Sequence, residues 1–161
     1  MTYTIREAAL EDLPVLREML GWAAAWRSDE IDRRVLADPA VSRYVEDFGR
    51  TGDVGLIAED DSGDPVGAAW YRYFSSEEPG FGFVAPDVPE ITVAVRPSSR
   101  GRGVGTALLR ALLARARSAG VGVLSLSVEE DNRALALYER MGFRTSGRRG
   151  NALTMRVDLR D

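Results

Sequence analysis

The sequence has 161 residues and a net charge of −4, with 45% hydrophobic and 29% charged residues, which is the composition of one ordinary globular domain. The acidic balance argues against nucleic-acid binding, because a phosphate-binding surface needs an excess of basic residues. No apolar run approaches the roughly 20 residues of a membrane span, and Met1 is not followed by a basic and apolar leader, so we expect a cytoplasmic protein.

Three residue types that carry much enzyme chemistry are missing. The chain has no cysteine and no histidine, and all 21 basic residues are arginine. A disulfide framework, a Ser-His-Asp triad, a cysteine nucleophile, a lysine Schiff base and a His/Cys metal site are therefore excluded on this chain alone. The chemistry that remains is that of carboxylates, tyrosines, hydroxyls, arginines and oriented backbone amides.

The start of the chain predicts one strand and two helices. Residues 4–8 are typical of a short strand, and the apolar spacing that follows Pro14 predicts a helix. Asp38 and Pro39 have the pattern of a helix N-cap and first helical position, and Gly49 is placed to end that helix. The apolar stripe of this second helix consists of Val41, Tyr44, Val45 and Phe48.

The period of the hydrophobic pattern then changes from helical to strand-like. Residues 53–59 and 66–74 alternate with a period of two and are separated by a turn-forming segment, which predicts an antiparallel hairpin. Residues 75–89 are rich in Gly, Pro, Phe and acidic side chains and predict a long irregular loop. The next strand is predicted over Glu90–Val95, with Ile91, Val93 and Val95 on one face.

The second half predicts alternating helices and strands. We expect a helix at Val104–Ser118, a strand at 123–128, a helix at 132–141 and two final strands at 143–146 and 153–159. The strand–helix–strand unit from residue 90 to residue 128 predicts a right-handed parallel crossover. An antiparallel front half followed by this alternation predicts an α+β, or mixed α/β, fold around one central sheet.

A glycine-rich turn joins the strand ending at Val95 to the following helix. Residues 100–106 read Arg-Gly-Arg-Gly-Val-Gly-Thr. A helix N-terminus presents free N–H groups and a positive partial charge, so a phosphate can bind there without a lysine. The glycines would allow close backbone approach, and Arg100 and Arg102 would add charge. The alternative is a turn that only reverses the chain. The spacing does not fit a dinucleotide fingerprint.

Two motifs together resemble the GNAT superfamily of N-acetyltransferases. The first is Arg100-x-x-Gly103-x-Gly105 after a strand, and the second spans residues 127–143. The resemblance implies a GNAT-like domain over residues 1–161, with a mixed, mostly antiparallel sheet of about six to seven strands and about four helices. It implies acetyl-coenzyme A (acetyl-CoA) as the co-substrate, with no metal.

The resemblance also implies which residues contact the coenzyme. Main-chain groups of Val93 and Val95 would pair with its pantetheine arm, and the glycine-rich turn would hold its pyrophosphate. Asn132 matches a coenzyme-contacting position, although it is equally suited to cap the following helix, and both roles are compatible. The implied set is Val93, Ala94, Val95, Arg100, Gly101, Arg102, Gly103, Val104, Gly105, Thr106, Asn132 and Tyr138.

Two side chains are candidates for catalysis. Without cysteine no acetyl-enzyme can form on sulfur, so we expect the acceptor amine to attack the thioester directly in a ternary complex. Tyr138 resembles the family's tyrosine near the coenzyme sulfur and is the candidate general acid; the alternative is a tyrosine that only packs in the core. Glu90 resembles a position that supplies a general base, directly or through water; the alternative is a solvated strand-edge residue.

The acceptor is less constrained by the sequence than the donor. Aromatic residues in segments that flank the acceptor side of this fold are Trp22, Trp26, Tyr71, Tyr73, Phe81 and Phe83. Glu77, Glu78 and Asp87 add negative charge, which would suit a cationic amine, but the aromatics could equally be core and the acids solvated. We expect a small-molecule or peptide amine, and a homodimer is compatible with the pattern. The alternative function is a non-catalytic acyl-CoA sensor or dimerisation module, and other acyl donors or O-acylation stay open.

Overall fold

The structure is a computed structural model that describes residues 2–160. Seven strands are observed in this range, and they form one sheet in the order β1-β2-β3-β4-β5-β7-β6. The strands are β1 (Tyr3–Glu7), β2 (Val54–Asp60), β3 (Pro65–Arg72), β4 (Glu90–Val95), β5 (Val123–Glu129), β6 (Arg144–Arg149) and β7 (Ala152–Asp158). All neighbouring pairs are antiparallel except β4 and β5, which are parallel. The predicted mixed, mostly antiparallel sheet is confirmed.

Within residues 2–160 there are five α-helices, one more than predicted. They are α1 (Leu13–Ala24), α2 (Arg33–Ala37), α3 (Pro39–Ser42), α4 (Val104–Ser118) and α5 (Ala134–Arg140). None of them combines the length and apolar composition that crossing a bilayer requires. Short 3₁₀ turns precede α1 and α4 at Leu10–Asp12 and Pro97–Ser99.

The predicted helix over residues 38–49 is largely wrong. Asp38 caps it as expected, since its side chain accepts the N–H of Ala40 at 2.9 Å, but the helix ends at Ser42 and turns follow. Gly49 does adopt a left-handed conformation, with φ of +116°. The missed helix α2 has no fully buried residue, so its hydrophobic pattern gives little signal.

Both faces of the sheet are covered. On one face, Leu56 and Tyr71 share a core with Leu108 of α4. On the other face, Ile57 and Trp70 share a core with Leu16 of α1. Strand β3 is therefore buried on both sides, and all its residues after Pro65 are buried. A strand of this kind shows no polar face in its sequence.

The parallel junction between β4 and β5 is short. It consists of one register pair, Glu90 with Ser125, supported by a hydrogen bond from the Ser125 N–H to the Pro89 carbonyl at 3.0 Å. Beyond that pair the two strands diverge, and the gap between them opens into a cleft. The fold thus places an opening inside the sheet rather than at its edge, and we call this opening the seam.

Candidate active site

The seam leads into a cleft of about 500 Å³. Strand β4 forms one wall along its whole length, and residues 126–129 of β5 form the other. The C-terminal end of α1 and the loop after it cover one side of the cleft, the side predicted to hold the acceptor, and Tyr138 of α5 also borders the cleft. The cleft therefore brings together segments that lie more than one hundred residues apart in the chain.

Main-chain groups of β4 point into the seam. The N–H of Arg96 donates to the carbonyl of Val66 at 2.8 Å, which continues the β3–β4 ladder. Hydrogen-bonded positions alternate in an antiparallel pair, so Ala94 and Thr92 direct their N–H and C=O groups to β3. Val93 and Val95 direct theirs to the opposite side, toward β5. The Nε of Arg100 donates to the carbonyl of Val95 at 3.2 Å, so the Val95 carbonyl makes its hydrogen bond outside the sheet.

The glycine-rich turn lies exposed beside the end of β4. Gly101 and Gly103 have φ of +77° and +83°, which glycine adopts without strain. A Cβ at either position would meet no atom within 4 Å. Gly103 caps α4, and the N–H groups of the first helical turn, Val104 to Thr106, have no acceptor within the helix. The side chain of Val104 is buried, so only its main chain is available.

Tyr138 both packs in the core and borders the cleft. It is 8% exposed, and its ring meets the edge of Phe143 with centroids 5.8 Å apart. Burial raises the pKa of its phenol to about 12. Among residues 2–160 no group hydrogen-bonds to its hydroxyl. Asn132 also borders the cleft, and its Oδ1 accepts the N–H of Ala134, the first residue of α5, at 2.9 Å. This is the hydrogen bond expected of a cap, although Arg133 occupies the N-cap position itself.

Glu90 is buried, so the solvated-edge interpretation is wrong. Only 2% of the residue is exposed, and burial raises the pKa of its carboxyl group to about 7. Its Oε2 accepts a short hydrogen bond from the hydroxyl of Tyr44. Its Oε1 and the Oγ of Ser125, on the other side of the seam, have no hydrogen-bond partner in the described part of the chain. Two buried polar atoms without partners, one of them on a residue that lines the cleft, mark a place for water or a ligand.

Tyr44 is a site residue that the sequence analysis missed. Besides donating to Glu90, its hydroxyl accepts the N–H of Phe81 at 2.7 Å. Gly80 lies against both groups, since a Cβ there would approach Glu90 Oε1 at 2.3 Å and Tyr44 Oη at 2.7 Å. The predicted irregular loop over residues 75–89 is therefore held in place over part of its length. Its residues 80–83 form a strap that covers the Glu90 carboxylate.

A buried ion pair fixes the backbone of Tyr44. Arg72 and Asp53 are both buried, and their charged groups are 2.7 Å apart. Arg72 Nη1 also donates to the carbonyls of Arg43 and Glu46, at 2.8 and 2.7 Å. Trp70 Nε1 donates to the carbonyl of Tyr44 itself at 2.9 Å. These bonds satisfy carbonyls that an interrupted helix would leave unpaired, and they hold the Tyr44 turn above Glu90.

The predicted acceptor aromatics divide into two groups. Trp22, Trp26 and Phe81 line the cleft, and Phe81 is 47% exposed. Tyr71 does not line it, because its side chain lies in the core on the α4 side of β3. Phe83 packs instead against the α1-side core.

Of the two interpretations of the acidic loop residues, the solvated one is confirmed. Glu77, Glu78 and Asp87 are exposed outside the cleft, and the acids that line it are Glu90 and Glu129. No group of acidic side chains within residues 2–160 is arranged to hold a metal ion.

Comparison with known proteins identifies the family to which the fold belongs. Residues 15–143 match the acetyltransferase (GNAT) family. The chain is 33% identical over 153 residues to the L-methionine sulfoximine/L-methionine sulfone acetyltransferase of Pseudomonas aeruginosa, covering 91% of this chain and 83% of that protein.

Two solved structures extend over nearly the whole chain. The yncA acetyltransferase of Salmonella typhimurium, solved with acetyl-CoA, superposes with a TM-score of 0.74 at 26% identity, covering 100% of this chain and 96% of that one. The ribosomal-protein-alanine N-acetyltransferase of Brucella melitensis gives a TM-score of 0.69 at 29% identity, covering 96% and 99%.

Proposed function

This chain belongs to the GNAT family of acetyltransferases, and we propose that it transfers an acetyl group from acetyl-CoA to a primary amine of a small molecule or peptide in one ternary complex. The observation that carries the proposal is the seam, which presents main-chain groups of β4 that make no hydrogen bond within the sheet and leads to the glycine-rich turn. The acceptors named for the relatives, a methionine derivative and a ribosomal protein, differ too much to choose between a small molecule and a peptide.

The residues along the seam suit a coenzyme A molecule. Its pantetheine arm carries amides, which the main-chain groups of Val93 and Val95 can pair with, and its pyrophosphate needs N–H donors such as those of the first turn of α4. The open space over Gly101 and Gly103 leaves the backbone accessible to an anion. When bound, acetyl-CoA supplies the activated acetyl thioester.

Glu90 is proposed as the base. In the transfer, the amine nitrogen bonds to the acetyl carbon, the carbon–sulfur bond breaks, and one proton leaves the nitrogen while one is gained by the sulfur. A carboxyl group with a pKa of about 7 is largely ionised in weakly alkaline solution and accepts a proton far more readily than one at its ordinary value of 4.5. We propose that the proton reaches Glu90 directly or through a water between Glu90 and Ser125.

Tyr138 is proposed to assist the departure of the sulfur. Its phenol stays protonated because burial raises its pKa to about 12. Complete proton transfer to a thiolate whose conjugate acid has a pKa near 8.5 would be uphill by roughly 5 kcal/mol. A hydrogen bond from the Tyr138 hydroxyl to the developing negative charge is therefore favoured over early proton transfer. Such a bond to a charged atom contributes about 1.5–3 kcal/mol.

Thiol release from acetyl-CoA over a panel of amines tests the proposal. We expect turnover with at least one primary amine and intersecting initial-rate patterns, since both substrates must be bound together. Tyr138→Phe should lower kcat roughly 10- to 100-fold, whereas the control Tyr73→Phe, outside the cleft, should not. Ping-pong kinetics would contradict direct transfer. Binding of acetyl-CoA with no thiol release from any amine would instead favour the sensor alternative.

A further inference from the structure

The charged residues that line the cleft are few. They are Glu90, Arg100, Glu129 and Arg149. Glu129 is ion-paired with Arg27 at 2.7 Å, and the Nε of Arg100 is bonded to the Val95 carbonyl. Within the described range, Glu90 and Arg149 form no ion pair. The cleft therefore contains one carboxyl group, which ionises near pH 7, and one guanidinium group that form no ion pair in this range.

The strand register places these two groups on the same face of the sheet. Arg149, at the end of β6, lies opposite Ala152 of β7, which lies opposite Glu129 of β5. Residues directly opposite each other share a face, as do residues two apart on one strand. Glu129 therefore shares a face with Ser125, and Ser125 lies opposite Glu90. Arg149 and Glu90 thus project to the same side of the cleft, and they are near enough that the positive charge of Arg149 acts to lower the pKa of Glu90.

The rest of the cleft wall near these two residues is mainly apolar. Trp22, Trp26, Val41 and Phe81 line it. Trp26 is held in place because the guanidinium of Arg27 lies 4.1 Å from the centre of its ring, and Arg27 is in turn bonded to Glu129 and Asp131. A ligand that matches this surface has a hydrogen-bond donor for Glu90, an anionic group for Arg149 and an apolar body.

We propose that the acceptor is an α-amino acid with an apolar side chain, whose carboxylate binds to the guanidinium of Arg149 while its amine faces Glu90. This inference rests on the proposed acetyl transfer and narrows its acceptor. Arginine binds carboxylates with two parallel hydrogen bonds, which would also fix the direction of the amine. A polyamine would bring a second positive charge toward Arg149, and a peptide N-terminus would offer it only a neutral amide.

Paired substrates that differ only in the carboxylate test this inference. The acids L-leucine and L-phenylalanine are compared with L-leucinamide, L-phenylalaninamide and putrescine. Rates are expressed per neutral amine, because the amine groups of acids and amides have different pKa values. The variants are Arg149→Gln, Arg149→Lys and the control Arg144→Gln, which changes an exposed arginine on the same strand outside the cleft. Thiol release gives kcat and KM, and fluorescence of Trp22 and Trp26 reports acid binding in the presence of coenzyme A.

The wild-type protein should use an acid at least tenfold more efficiently than its amide. Arg149→Gln should raise KM for the acid roughly 10- to 100-fold and leave the amide and the KM for acetyl-CoA unchanged. Arg149→Lys should recover part of the loss, and Arg144→Gln should behave as wild type. Equal use of acid and amide by the wild type, or an equal loss on both in Arg149→Gln, would overturn the inference. Absence of thiol release with every amine would overturn the proposed function, and the inference with it.

Discussion

Replacing Glu90 by glutamine should change how the stability of the protein depends on pH. The carboxyl pKa lies at about 7 in the folded protein, against an ordinary value of 4.5, because the group is buried. The folded state thus holds this proton more tightly than the unfolded state does. The stabilisation from protonated Glu90 is complete below pH 4.5 and is lost as the pH rises to 7. Each pH unit is worth about 1.4 kcal/mol, so the whole loss is about 3 kcal/mol.

Chemical denaturation of wild type and Glu90→Gln at pH 5 and pH 8.5 measures this effect. Between the two pH values the variant should gain roughly 2–3 kcal/mol in free energy of unfolding relative to wild type. Any steric effect of the amide is independent of pH and cancels in that difference. Glu77→Gln, which changes an exposed glutamate in the loop before β4, serves as the control. A difference between Glu90→Gln and wild type that does not change with pH would refute the burial argument.

Three further substitutions test the rest of the site. Tyr44→Phe removes a hydrogen bond to the carboxylate, so the pKa of Glu90 should rise further and the acidic limb of the kcat/KM profile should move up by about one pH unit; an unmoved limb would contradict this. Gly103→Ala and the control Gly120→Ala should both destabilise the protein by about 1–2 kcal/mol, because both glycines have a φ near +80° and open surroundings. Only Gly103→Ala should also raise the KM for acetyl-CoA. Gly82→Ala would place a Cβ 2.5 Å from the Leu126 carbonyl carbon, so it should lower both the melting temperature and kcat. Gly147→Ala, with 3.7 Å of clearance, should not.

The sequence predicts the donor half of the site well because local chemistry determines it. Strand β4 and helix α4 have the predicted bounds, since alternation ends at a proline and a glycine-rich turn. Positive φ at Gly101 and Gly103 is a property that glycine alone tolerates easily. The hydrogen bond from the Ala134 N–H to the Asn132 side chain likewise depends on neighbours within two residues.

The acceptor half depends on contacts between distant residues, which sequence patterns do not show. Tyr44 looks like a core residue until the fold brings it to Glu90, 46 residues away. Tyr71 was assigned to the cleft wrongly because β3 is buried on both faces, so alternation does not show which face meets the cleft. Arg149 is one of 21 arginines, and only the β5–β7–β6 register distinguishes it from the others.

The short junction at Glu90 and Ser125 also affects the mechanics of the molecule. The sheet consists of a four-stranded ladder and a three-stranded ladder that share one register pair. A coenzyme whose amides pair with Val93 and Val95 would act as a missing strand and join the two ladders. Coenzyme binding then raises the free energy of unfolding by RT ln(1 + [L]/Kd), where [L] is the concentration of free coenzyme. We therefore expect the halves of the sheet to exchange amide hydrogens independently without ligand and as one cooperative unit at saturating coenzyme A, so that the co-substrate is also a structural part of the fold.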